Sequence, residues 1–462
     1  MKKTLFAILI FAAFAVSVSA QNGKLKFLAV NDMHSHIEHF PKLAFIVDSI
    51  RKQCPDLLLV AAGDNRTGNP WNDMAAEPNL PMVELMNELG FCMSAMGNHE
   101  CDESQASFAN TINKSKFPYL VANMYPADSL GIHTMPFKLF EHNGLSVAVL
   151  GLIELNPQGY PNAHPDKMRG LRFTQPMLEA DRYTWLRNQC NVYVLLSHLG
   201  YQDEVKLAAQ HPEFDVIIGG HSHDLIKGEK HNGVFITQAQ SYTEYVNEID
   251  VTVEGGKVTK TTCKSIPIKA ATGVNEKVKA MVDEYANSPA LKRVLTTATE
   301  PFASKEELGF MMTEAIKAEA GVDIVAQNTG GIRMNSMPAG PITVETILSM
   351  DPFHNKVFIY EMTGEQVIQF FEEQKYFFVA GVRYKLESNG DRNKAIVKNE
   401  DGSKFNLKKT YRISTNDYVA SVSKMLKTMT PEDINKTTTD CIISYLEKQP
   451  SVNYKGASSM LK

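Results

Sequence analysis

Five times before residue 225 a short apolar run ends abruptly in Asp, His or Asn. The five endings are Asn31-Asp32-Met33-His34, Gly63-Asp64, Gly97-Asn98-His99-Glu100-Cys101-Asp102, Ser197-His198-Leu199-Gly200 and Gly219-Gly220-His221-Ser222-His223. A buried core has no use for such groups, since each one left without a partner costs about 1–3 kcal/mol. The recurrence therefore demands a fold that carries several strand ends to one polar rim. Buried strands alternating with helical segments meet that demand as an α/β fold, in which ligands bind beyond the carboxyl ends of the strands.

Residues 25–30, 57–62, 91–96, 145–152, 192–196 and 216–218 read as strands, and strands at 234–238 and 245–253 close this half. The run at 145–152 ends without a polar motif. Leu43, Ile46, Val47 and Ile50 recur at helical spacing before Pro55, and residues 82–89 repeat the pattern. Near Val274 a helix begins with Val278, Met281, Val282 and Tyr285 on one face, and we read it as an interdomain connector. A second α/β unit follows, with a helix at 308–316, a strand at 322–326 and then a glycine loop. A chain of 462 residues is long for one core, so two domains are expected. We set a leader at residues 1–20, a first domain at 21–270, a connector at 271–295 and a second domain at 296–462.

The leader is Met1-Lys2-Lys3, an apolar run from Leu5 to Val16, then Ser17-Val18-Ser19-Ala20, the pattern of a secretory signal peptide cleaved after Ala20. The run is short for a bilayer span of about 20 residues, so no stable membrane anchor is expected, and export to the periplasm or medium is. Loss of Lys2 and Lys3 takes the formal charge from −5 to −7, and without a dense Lys/Arg stripe no nucleic acid duplex is expected as partner. A small anionic substrate remains compatible, because bound divalent cations reverse the charge locally. Cys54, Cys92, Cys101, Cys190, Cys263 and Cys441 show no C-x-x-C spacing and are expected mostly as buried thiols.

Asp32, His34, Asp64, Asn98, His198, His221 and His223 together suit two borderline divalent ions (Zn, Mn, Fe or Co), with Asp64, the lone carboxylate of its loop, able to bridge. Two such ions activate a water and clamp the oxygens of an in-line displacement at phosphorus, which makes a phosphoesterase site. Asp32 and His34, like His221 and His223, are alternate residues that project to one side past a strand. His99 is read as a non-ligand that donates to the phosphoryl or leaving oxygen, with Asp102 holding its other nitrogen. His36, His39 and His164 are read as solvated or locally hydrogen-bonded, and Arg66 as a surface salt bridge, with reach to a substrate phosphate as the alternative.

These motifs resemble the calcineurin-like metallophosphoesterases, and the two-domain layout resembles the exported 5′-nucleotidase family, which includes UDP-sugar hydrolases and 2′,3′-cyclic phosphodiesterases. The resemblance implies a four-layer α-β-β-α sandwich followed by a smaller α/β substrate-binding domain that swings on the connector. It implies one ion on Asp32, His34, Asp64 and His223, the other on Asp64, Asn98, His198 and His221, and a catalytic dyad of His99 and Asp102. Cys101 stands where the family has an aromatic residue. In the second domain Asn328-Thr329-Gly330-Gly331-Ile332-Arg333 resembles the family's nucleotide-contacting loop, which implies substrate binding by Asn328 and Arg333. Phe353 and Tyr418 resemble the two rings that stack on the base. Two departures follow: Ser421-Val422-Ser423-Lys424 replaces a Gly-Gly-Asp-Gly run whose Asp contacts ribose, and Lys305 is the only cation near Phe302, where the family has an arginine.

The expected activity is metal-dependent hydrolysis of a phosphate ester, foremost nucleoside 5′-monophosphates. The alternatives are a different ester on the same fold (a cyclic nucleotide, a UDP-sugar or protein-carried thiosulfate) and a non-catalytic periplasmic module that retains metals for structure.

Overall fold

The computed structural model describes residues 21–373, 376–389 and 392–461, so the leader at 1–20 lies outside the described residues. The first half is built on two six-stranded sheets. One runs Lys257–Pro267, Tyr245–Glu254, Gly23–Val30, Leu58–Ala61, Met93–Ala95, Tyr119–Leu120, and its last four strands are parallel. The other runs Leu225–His231, Val234–Ala239, Val216–Gly219, Val192–His198, Leu145–Ile153, Phe137–His142, with its four inner strands parallel.

Strand alternation sets the layers. Leu25, Phe27 and Ala29 point inward and meet Leu145, Val147, Val149, Val194 and Val216 of the other sheet in one apolar seam. Leu28 and Val30 point the other way, into a core with Phe40, Leu43 and Val47 of the helix Phe40–Arg51. Ala148, Leu150, Tyr193, Leu195 and Ile217 face Leu207 and Ala208 of the helix Tyr201–Gln210 on the far side. Helix, sheet, sheet, helix is the four-layer sandwich. The long apolar runs of the inner strands are the mark of strands buried on both faces.

The helix read as a connector, Glu276–Tyr285, is docked on this half: Val278 and Val282 enter the same core as Phe40 and Leu43. The C-terminal half holds a five-stranded sheet in the order Phe377–Ala380, Ile324–Asn328, Thr410–Asn416, Lys356–Thr363, Glu432–Thr437. Helices Lys305–Ala320 and Thr438–Glu447 cover one face of it. Helix Gly364–Glu373 and the hairpin Val382–Asn389/Arg392–Asn399 cover the other.

Candidate functional site

The five polar endings meet at the carboxyl edge of the sandwich, three supplied by the first sheet and two by the second. Their backbones are laced together: Asp32 N donates to Gly63 O and His34 N to Asp64 O, each at 3.0 Å, and His221 N donates to Asp32 Oδ2 at 2.9 Å. Asp32, His34, Asp64, His221 and His223 all have positive φ, between 46° and 79°. Non-glycine residues held there cost about 1–3 kcal/mol each, and such strain collects at functional sites.

Asp32, His34 and His223 form one donor group, Asp64, His198 and His221 form another, and a third set, His34, Asp64 and His99, overlaps both. Asp64 Oδ2 stands 3.1 Å from His198 Nε2 and 3.8 Å from His34 Nε2, so it lies between the two groups. Asn98 Oδ1 joins the second group, 2.9 Å from His221 Nδ1 and 3.2 Å from His198 Nε2. Its amide nitrogen donates to Asn162 O at 3.1 Å, which turns the oxygen toward the histidines. His198 Nδ1 donates to Ala62 O at 2.7 Å and His34 Nδ1 to Thr67 O at 3.0 Å, which directs both Nε2 atoms inward. A set of imidazole nitrogens and carboxylate or amide oxygens with oriented lone pairs fits borderline divalent ions.

Electrostatics follow from this crowding. Burial acts to raise Asp64, but the charges of His198 and His99 hold it well below the usual carboxylate range. Burial acts to lower His198, yet Asp64 lifts it to about 10. His221, buried and beside His198, falls to about 4.

His99 Nδ1 lies 2.5 Å from Asp102 Oδ2, and its Nε2 lies 4.0 Å from Asp64 Oδ2. Asn98, His99, Asp102, Arg333, Phe353 and Tyr418 line one cavity of about 940 Å³ between the two halves, as does Asn328. Phe353 sits 5.8 Å from His99, ring to ring, and Arg333 lies 5.9 Å from the Phe353 ring. Arg333 also donates to His34 Nε2 at 3.0 Å, so the loop of the second half reaches the first donor group itself. Lys305 stands near Arg333, and burial together with that positive charge lowers its pKa.

Arg66 corrects the sequence reading: it is 2% exposed, makes no ion pair among the described residues, and donates to Ser107 Oγ at 3.3 Å. His36 is locally bonded, to Glu38 Oε1 at 2.6 Å, whereas His39 bonds across the fold to Tyr242 O at 3.0 Å. All six cysteines are free, three of them buried.

Sequence reasoning missed the supporting groups. Glu100 accepts from Gly97 N, Asn65 N and Asp64 N at 2.6, 2.9 and 3.2 Å, tying two loops together, and burial raises it to about 7. Asp73 accepts from Thr67 N, Gly68 N and Asn69 N and holds the Asp64 loop. Glu154, just past the strand without a motif, accepts from Asn162 N at 2.6 Å and so braces the residue that orients Asn98. A carboxylate directly after an apolar run was the available signal for Glu154, and one inside the polar ending itself for Glu100.

Residues 25–225 match the calcineurin-like phosphoesterase family, and residues 286–430 match the 5′-nucleotidase C-terminal domain. The chain is a metallophosphoesterase of the 5′-nucleotidase family. Among the relatives of this 5′-nucleotidase-family hydrolase is Protein UshA of Yersinia enterocolitica, 26% identical over 88% of this chain and 89% of its own. The 5′-nucleotidase of Vibrio cholerae is 25% identical over 80% and 78%. The crystal structure of a 5′-nucleotidase precursor from Thermus thermophilus superposes with a TM-score of 0.84 at 24% identity, covering 93% of this chain and 97% of that one. Family membership implies divalent metal ions, and the two donor groups are where the family-member chain could hold them.

Proposed function

We propose that the protein hydrolyses nucleoside 5′-monophosphates to nucleoside and inorganic phosphate, with one divalent ion on Asp32, His34, Asp64 and His223 and a second on Asp64, Asn98, His198 and His221. The observation that carries this reading is the place of Asp64, within 3.1 Å of one donor group and 3.8 Å of the other. When bound, the ions supply an activated water and neutralise charge on the phosphoryl oxygens. His99 gives the proton to the leaving oxygen. Burial works against its charged form, but the charges of Asp102 and Asp64 outweigh it and raise the pKa above the ordinary imidazole value, which favours the proton-donating form. Asp102 keeps Nδ1 occupied and Nε2 aimed at the centre. Arg333 offers its guanidinium to the phosphate, Asn328 adds an amide, and Phe353 and Tyr418 flank a flat base.

The pattern of residues 1–20 supports export, and among the described residues no helix is long and apolar enough to cross a membrane. Phosphate release from AMP, UDP-glucose, 2′,3′-cyclic AMP and p-nitrophenyl phosphate, with and without Mn²⁺ or Zn²⁺, tests the reading. Metal-dependent preference for AMP is the expected result. Turnover of p-nitrophenyl phosphate alone would discard the nucleotide.

A further inference from the structure

We propose that His164 and Asp417, one from each half of the chain, together read a sugar hydroxyl of the substrate; this rests on the nucleotide reading above. His164 precedes the short turn Pro165–Met168, and its Nδ1 accepts from Asp166 N at 3.2 Å. That bond fixes the proton of the neutral ring on Nε2. Yet Nε2 is buried and has no hydrogen-bond partner. Asp417 Oδ2 lies 3.9 Å from it, too far for a direct bond. A buried N–H beside a carboxylate at that separation is a gap for one group that both accepts and donates.

A hydroxyl is that group. Its oxygen can stand about 2.8 Å from both atoms, accepting from Nε2–H while its proton goes to the carboxylate. The surroundings say where the hydroxyl comes from. Both residues line the cavity that holds His99 and Arg333. Asp417 directly precedes Tyr418, whose ring centroid is 6.5 Å from that of His164. A polar pair at the edge of an aromatic platform matches a sugar attached to a stacked base. Asp417 is also held in place, since its Oδ1 accepts from Lys356 N at 3.1 Å. The run after the platform, Ser421-Val422-Ser423-Lys424, holds no carboxylate, whereas Asp417 directly precedes the ring.

The test is the ratio of kcat/KM for AMP to that for 2′-deoxy-AMP and 3′-deoxy-AMP, measured on the metal-loaded full chain, wild type against Asp417→Ala, Asp417→Asn and His164→Ala. A site built to bond a hydroxyl rejects the analogue without it, so wild type is expected to favour AMP over one deoxy analogue by about tenfold or more. In Asp417→Ala and His164→Ala that ratio should fall to about one, with the loss on AMP carried mainly by KM. Asp417→Asn, which keeps an acceptor oxygen, should retain part of it. Wild type that turns over AMP and both deoxy analogues equally overturns the pair while leaving the nucleotide reading intact. So does a variant whose AMP and p-nitrophenyl phosphate rates drop in parallel with the ratio unchanged, the signature of a contact that only docks the halves. Wild type that hydrolyses p-nitrophenyl phosphate and no nucleotide overturns both.

Discussion

Replacing Gly97 by Ala should strip this protein of metal while leaving it folded. A Cβ at residue 97 would stand 2.2 Å from Asp64 Oδ1, 2.5 Å from Asp64 N and 2.8 Å from Asp64 Cγ. Ordinary contact starts at 3.4 Å, so the 2.2 Å approach requires the carboxylate oxygen to retreat by about 1.2 Å. The retreat is opposed on both sides: Oδ1 accepts from His99 N at 2.9 Å, and Asp64 N donates to Glu100 Oε2 at 3.2 Å. Metal sites hold ligand distances to about 0.2 Å. Removing a supporting group alone weakens binding by about 10–100-fold, so displacing Asp64, the carboxylate proposed above to be shared by both ions, should weaken it by about 100-fold or more. Overpacking adds about 1–3 kcal/mol of destabilisation, less than the roughly 5–15 kcal/mol that holds a folded domain together. The assay is metal content after equilibration against graded chelator, with the melting temperature of the metal-free protein alongside. Gly144→Ala, with no atom within 4 Å but φ +74°, controls for backbone strain remote from the site. A Gly97→Ala protein that keeps two ions at the wild-type chelator concentration would refute the reasoning.

His99→Ala should lower turnover by about 10²–10⁴ with metal content unchanged; loss of metal in this variant would make His99 a ligand instead. Phe353→Ala and Tyr418→Ala should each raise KM for AMP by about five- to 150-fold through lost stacking of about 1–3 kcal/mol, and steady-state kinetics showing no change would remove that ring from the substrate. Glu319 gives a pH signature away from the site. Its carboxyl is pulled from 4.5 to about 2, first by Lys448 and then, against burial, by Lys436 and Ser444. A folded pKa below the unfolded one means its stabilisation is full above about pH 5 and fades as pH falls toward 2. The melting-temperature gap between wild type and Glu319→Gln should therefore be constant above pH 5 and close on acidification, and a gap that widens there would contradict the ion pairs.

Much of the site was legible because its signal is local. Asp32 and His34, or His221 and His223, follow a buried strand within a few residues, and strand burial is written as an unbroken apolar run. The carboxyl-edge location follows from the same pattern, since parallel strands place their exits on one side, whereas the order of the strands and their division into two sheets do not. The second half was less legible. Its strands are mixed in direction, and the hairpin Val382–Asn389/Arg392–Asn399 leaves no polar motif behind.

What the sequence determined, then, was the set of donors and the strands that deliver them. Tertiary structure alone decided what those donors meet. Nothing local says that Arg333 reaches His34, that Asn162 turns the Asn98 amide, or that Glu100 gathers three N–H groups from two loops. Arg66 shows the same limit: a polar loop suggested a surface ion pair, and packing under the helix Gln105–Lys114 buried it instead. The physical reason is range. Periodicity and short motifs record what a residue does within its own strand or turn, whereas burial and hydrogen-bond partners depend on segments tens to hundreds of residues away, which only the packed layers bring into contact.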